Sequence, residues 1–176
     1  MKTNIALIGF MGTGKTAVGR RLAGKLGHKF IELDSVIEKK AGKSIPEIFV
    51  EDGEIAFREL EIEATEEVAR TKHTVIACGG GVVLNRINID RLKEGAVIVH
   101  LTAPPSVILK RTLREAGKRP LLDVENPLAA ICELLKFRKL LYERAADTTI
   151  NTAKLDINAV AEQIIEELKE DESFAW

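Results

Sequence analysis

Short apolar runs alternate along this chain with longer stretches in which apolar residues recur every three or four positions. Runs that are apolar almost throughout, instead of at every second residue, belong to strands covered on both faces. The alternation therefore predicts a parallel sheet with helices on each side. NIALI (4–8), KFIEL (29–33), TVIAC (74–78), AVIVHL (96–101) and DTTIN (147–151) read as five strands. Helices are expected over 15–26, stopping at Gly27, then from about Ser35, from Ser44, over 54–70 and over 86–93. Further helices are expected from Pro104 and Pro105 toward Glu115, over 129–145 and over 157–168. Ser44-Ile45-Pro46-Glu47 has the spacing of a capping box with proline in the first turn. The stretch of about 113–126 breaks the alternation with Gly117, Pro120 and many charges, and is expected to form a mobile lid. The acidic tail, about 170–176, is expected to fray, with Trp176 loose.

Size and composition narrow the picture. With 176 residues the chain suits a single domain, 1–176, able to bury roughly two thirds of its unfolded surface. Lys and Arg number 26 against 27 Asp and Glu, a formal net charge of −1, so no global field draws the protein to nucleic acid or to an anionic membrane. Two cysteines, Cys78 and Cys132, are too few for a disulfide framework or a zinc site, and a cytoplasmic location with reduced thiols is expected. AVIVHLTAPPSVIL is interrupted by His100 and two prolines and falls short of the roughly 18 to 20 apolar residues of a spanning helix.

The chemistry begins at GFMGTGKT, 9–16, which fits G-x-x-x-x-G-K-[ST] between a predicted strand and a predicted helix. Glycines let successive amides turn inward around a phosphate, and the helix N-terminus adds partial positive charge. Lys15 is expected to reach the β and γ oxygens, and the Thr16 hydroxyl to ligate Mg²⁺. This loop predicts nucleotide binding and leaves the acceptor open, because many phosphotransferases and switches share it.

Three arginines bear on the acceptor. Arg58 lies in AFRELE, Arg138 in FRKLLYERAAD and Arg119 in KRPLL. Arg58 among glutamates is also placed for ordinary i,i+4 pairs. Yet Leu33-Asp34 ends the second predicted strand and Gly79-Gly80-Gly81 follows the third, so both lie at the carboxyl edge of the sheet, where ligands bind. Three successive glycines there allow backbone to approach a substrate closely.

Taken in order, GFMGTGKT, LDSVIE, AFRELE, ACGGG, KRPLL and FRKLLYERAAD resemble the shikimate kinase family from Ile5 to about Leu168. The resemblance implies a three-layer α/β/α fold with a five-stranded parallel sheet, a P-loop NTPase of the nucleoside monophosphate kinase type. It also implies transfer of the γ-phosphoryl of MgATP to the 3-hydroxyl of shikimate, by a monomer. Gly12, Thr13, Gly14, Lys15, Thr16 and Ala17 would then hold the nucleotide, with Arg111 stacked on adenine and Arg119 meeting the transferring phosphate. Asp34 would bind the acceptor hydroxyls and take the proton. Arg58 and Arg138 would clamp the shikimate carboxylate, and Gly79, Gly80 and Gly81 would offer backbone to it. Lys15, Asp34 and Arg119 would be the catalytic set, and Thr16 and Glu32 the metal set.

Three positions depart from the family pattern. Glu32 replaces the first acid of D-x-D, Cys78 stands where Thr or Ser precedes the glycines, and NTAKLDIN lacks the proline expected near adenine. Gluconate or a nucleoside monophosphate is the alternative acceptor, and a catalytically idle nucleotide-binding homologue is the alternative from another class. No N-K-x-D segment for guanine recognition occurs.

Overall fold

Each strand sends successive side chains to opposite faces, and here both faces find apolar partners. The computed structural model describes residues 1–113 and 124–176. Arg119 and most of the expected lid lie outside the described residues. Strands β1 (Asn4–Ile8), β2 (Lys29–Glu32), β3 (Thr74–Ala77), β4 (Ala96–Thr102) and β5 (Thr148–Asn151) form one parallel sheet in the order β2-β3-β1-β4-β5. Ile5, Leu7, Val75, Val97, Val99 and Leu101 face helices α1 (Lys15–Leu26) and α8 (Ile157–Glu170). Ala6, Ile8, Ile76 and Ile98 face the other layer. That layer comprises α2 (Leu33–Ala41), α3 (Ile45–Glu51), α4 (Gly53–Ala69), α5 (Arg86–Gly95) and α7 (Pro127–Ala145). Helix α6 (Pro105–Leu113) packs with α7 around Phe10 and Ile131. The expected three-layer fold is the one observed.

Parallel register does the positioning. Leu7 of β1 and Glu32 of β2 both pair with Ala77 of β3, so the chain leaves all three strands side by side at one edge. The loop after β1, the acids after β2 and the glycines after β3 therefore share one crevice, as open α/β sheets prescribe.

Two expectations need correction. Leu33 was expected to close the second strand, with the helix starting near Ser35, but β2 ends at Glu32 and α2 begins at Leu33. The neighbouring strand ends at Ala77, opposite Glu32, so the ladder has no further partner to offer. Leu33 is fully buried as a helical residue, and apolarity alone does not separate the two states. The tail was expected to fray and instead docks. The Lys2 amide donates to the Ser173 carbonyl and the Ala175 amide to the Lys2 carbonyl, each at 2.8 Å. Phe174 is buried with Leu168 in the core beneath α8, and Trp176, half exposed, meets its edge. One buried phenylalanine outweighs the acidic composition around it. The capping box is present in both halves, with Ser44 accepting from the Glu47 amide and Glu47 from the Ser44 amide.

His100, on β4, is buried and stacks on Tyr142 of α7, the ring centroids 4.7 Å apart and 13° from parallel. Burial, assisted by the Lys15 ammonium, pushes its pKa down to about 4. Below the ordinary value of about 6.5 the unfolded chain binds a proton that the folded chain refuses, so stability is lost as the pH falls from about 6.5 toward 4. His100→Phe keeps a ring against Tyr142 and removes this titration. Urea unfolding at pH 7 and pH 5 should show the wild type losing about 2 kcal/mol more than the variant, and equal losses would refute the assignment.

Candidate active site

Glycine conformation shapes the nucleotide side. Gly9, Gly12 and Gly14 have φ of 145°, 73° and 99°, values that L side chains rarely adopt. A Cβ on Gly9 would also collide with the Leu101 carbonyl oxygen. Gly14 caps α1 in the left-handed conformation, and the first turn of α1 carries no acidic residue, so its amides and dipole present positive charge to the crevice. Lys15 Nζ donates to the Gly9 and Phe10 carbonyls at 2.8 and 2.9 Å, spanning the loop that it terminates. A cavity of about 430 Å³ opens here. The expected nucleotide residues, 12–17 and Arg111, line it together with Glu32, Asp34, Gly79 and Gly80.

The expected metal residues meet directly. Thr16 Oγ1 donates to Glu32 Oε1 at 2.7 Å, and Glu32 Oε2 lies 3.5 Å from Arg20 Nη2, one turn further along α1. A hydroxyl and a carboxylate beside a phosphate loop are hard oxygen donors, the set that suits a small divalent cation shared with phosphates. The extra methylene of glutamate lets its carboxylate reach Thr16 from the end of β2. Cys78 is buried in the core layer, and burial pushes its thiol up to about 12. At that value it is a neutral packing group, not a thiolate.

The acceptor side is built against bare backbone. A Cβ on Gly79 would stand 2.8 Å from Asp34 Oδ1, and one on Gly81 would stand 2.6 Å from Arg58 Nη1. One on Gly80 would lie 3.5 Å from the Met11 amide nitrogen and 3.8 Å from Arg138 Nη1. Three consecutive residues thus face the acid, one arginine and the other, with the nucleotide loop behind the middle one. Arg138 is buried, its Nη1 donating to the Gly80 carbonyl at 3.1 Å and its guanidinium 5.8 Å from the Phe10 ring centroid. Arg58 does make the ordinary helical pair with Glu54, and it also donates from Nη1 to Glu61 Oε2 at 2.9 Å.

Glu61, Tyr142 and Thr152 complete the surroundings and were not among the expected residues. Glu61 is 1% exposed, and its Oε1 has no hydrogen-bond partner among the described residues. Burial raises its pKa, and the charge and hydrogen bond of Arg58 oppose that rise. Its spacing of i+3 from Arg58 was the available signal, hidden because a charged residue within AFRELE reads as solvated. Tyr142, one turn beyond Arg138 on α7, donates from its hydroxyl to the same Gly80 carbonyl at 2.5 Å. Thr152 follows β5 and lies on the nucleotide side, joined to Arg111.

Comparison with known proteins agrees with this arrangement. The family model described as shikimate kinase matches residues 11–169. A shikimate kinase of Thermodesulfovibrio yellowstonii is 51% identical over 164 residues, covering 93% of this chain and 94% of that protein. A solved structure of shikimate kinase from Acinetobacter baumannii in complex with shikimate superposes with a TM-score of 0.92 at 40% identity, covering 98% of this chain and 96% of that one. Shikimate kinase from Aquifex aeolicus superposes with a TM-score of 0.82 at 32% identity, covering 94% and 96%. With a P-loop facing two arginines and an aspartate across a glycine turn, and with this likeness along nearly its whole length, the chain belongs to the shikimate kinase family.

Proposed function

We propose that this chain transfers the γ-phosphoryl group of MgATP to the 3-hydroxyl of shikimate, giving shikimate 3-phosphate and ADP. The observation that carries the reading is the convergence of Asp34, Arg58 and Arg138 on the Gly79–Gly81 turn, whose middle residue abuts the nucleotide loop. Two guanidinium groups beside a neutral backbone surface suit an acceptor with a carboxylate.

Each residue has a task that its position permits. The amides of residues 12–17 and the start of α1 bind the polyphosphate, and Lys15, now held on the Gly9 and Phe10 carbonyls, turns to the β and γ oxygens. Arg58 and Arg138 orient the acceptor by its carboxylate, so that the ring hydroxyls approach Asp34 and the phosphate loop. The hydroxyl oxygen forms its bond to the γ phosphorus as the bond to the ADP oxygen breaks, and Asp34 takes the hydroxyl proton. Thr16 and Glu32 would hold Mg²⁺, which supplies charge neutralisation on the phosphate oxygens when bound. For Arg119 the assignment to the transferring phosphate rests on the resemblance of KRPLL alone. We take the enzyme to act as a cytoplasmic monomer without nucleic-acid partners. Among the described residues no helix is long and apolar enough to cross a membrane.

An acceptor panel tests the reaction. With MgATP, ADP release should follow shikimate and not gluconate or nucleoside monophosphates, and turnover of either alternative without shikimate turnover would overturn the proposal. Lys15→Ala and Asp34→Ala should each lower kcat at least about 100-fold, because each removes charge stabilisation or proton transfer from the transition state. Rates near wild type in a coupled ADP assay would show that the roles are misplaced. Arg138→Ala should raise the shikimate KM at least about tenfold with the ATP KM little changed, since the clamp touches only the acceptor. Arg58→Ala should do the same and also lower the melting temperature, because it strands the buried Glu61 carboxyl. Equal weakening of both substrates would contradict the clamp.

A further inference from the structure

We infer that Thr152 is a positioning residue for nucleotide binding, its hydroxyl setting the direction of the peptide between Thr13 and Gly14. The inference rests on the phosphate-loop reading and is independent of the acceptor. Thr152 is buried where the chain leaves β5, and its Oγ1 lies 3.0 Å from the Thr13 carbonyl oxygen, 3.2 Å from the Thr102 carbonyl oxygen and 3.0 Å from Arg111 Nη1. A hydroxyl has one proton to donate and two lone pairs. Arg111 Nη1 has only protons to give, so Oγ1 accepts from it. The Thr102 carbonyl already receives the Thr152 amide at 2.8 Å, which leaves the hydroxyl proton to the Thr13 carbonyl at the shorter distance.

That bond acts on the phosphate loop through covalent geometry. In a trans peptide the carbonyl and the following N–H point in opposite directions. Holding the Thr13 carbonyl against the end of β5 therefore turns the Gly14 N–H the other way, toward the cavity that Gly14 lines. Gly14 sits in the left-handed conformation with φ 99° and only Val18 Cγ2 near its Cβ position, so side-chain packing at Gly14 does little to fix its peptide and the outer bond adds a direct restraint. Arg111 reinforces the tether by donating from Nη1 to the Gly12 carbonyl at 3.2 Å and from Nη2 to the Thr152 carbonyl at 2.9 Å. The loop is thus tied from behind at two successive carbonyls before any nucleotide arrives, which lowers the ordering cost of binding.

Calorimetric titration with ADP in the presence of Mg²⁺ tests this on the whole chain. Thr152→Val keeps the shape and removes the hydroxyl, whereas Thr152→Ser keeps the hydroxyl and removes the methyl. ADP should bind Thr152→Val about 5- to 10-fold more weakly than wild type and bind Thr152→Ser within about twofold of it, the size expected for one neutral hydrogen bond. Shikimate affinity should stay within about twofold in both variants, because the hydroxyl bears only on the nucleotide loop. Wild-type ADP affinity in Thr152→Val would overturn the inference, and so would a Thr152→Ser defect as large as that of Thr152→Val. A matched loss of ADP and shikimate binding together with a lower melting temperature would overturn it too, since that reports damage to the fold. A wild-type protein that binds ADP but ignores shikimate sinks the proposed acceptor and leaves this inference standing.

Discussion

The Asp34 carboxylate and the Arg58 guanidinium sit where side chains on Gly79 and Gly81 would begin. At Gly79 a single methyl group would press on Asp34, and at Gly81 it would press on the Arg58 guanidinium. That close approach is the constraint on which the acceptor half depends, because it lets an acid from the first turn of α2, an arginine from α4 and an arginine from α7 close on one strip of backbone. Each of those side chains comes from a different part of the chain, and the missing Cβ atoms at Gly79 and Gly81 let the acid and Arg58 lie against backbone without being displaced.

Charge is then managed locally. Arg58 and Arg138 are cations in partly or fully buried positions, and Glu61 is fully buried with one oxygen paired to Arg58 and within electrostatic reach of Arg138. Desolvation favours the neutral carboxyl, whereas Arg58 favours the anion, and the opposed effects explain why the group is raised in pKa and still hydrogen bonded. A buried acid of this kind holds an arginine in place at some cost in stability, and the net charge of −1 shows that this electrostatic work leaves no trace in the overall composition. Gly80 ties this side to α7, since its carbonyl is held by both Arg138 and Tyr142.

The nucleotide half follows a similar logic with a different device. Its glycines have positive φ at 9, 12 and 14, and the Gly12 and Thr13 carbonyls are bonded to Arg111 and Thr152. Departures from the family pattern fit within this frame. Glu32 reaches Thr16 across one extra methylene, and Cys78, held neutral by burial, packs beneath the crevice.

Much of this was legible along the chain because it is encoded locally. The spacing of glycines, lysine and threonine in 9–16 is itself the loop, NIALI is β1 to the residue, and Ser44 with Glu47 is a complete cap. Five apolar runs in alternation with helical periods define a parallel sheet, because strands covered on both faces leave that signature. Tertiary structure alone decided what depends on neighbours distant in sequence. Leu33 turned helical where the ladder ran out, Phe174 docked beside Lys2, Glu61 became buried, and Tyr142 and Thr152 found carbonyls 62 and 139 residues away. An apolar, acidic or hydroxyl side chain has the same local pattern whether it meets solvent or a distant carbonyl, and only packing of the layers supplies the partner that gives it a role.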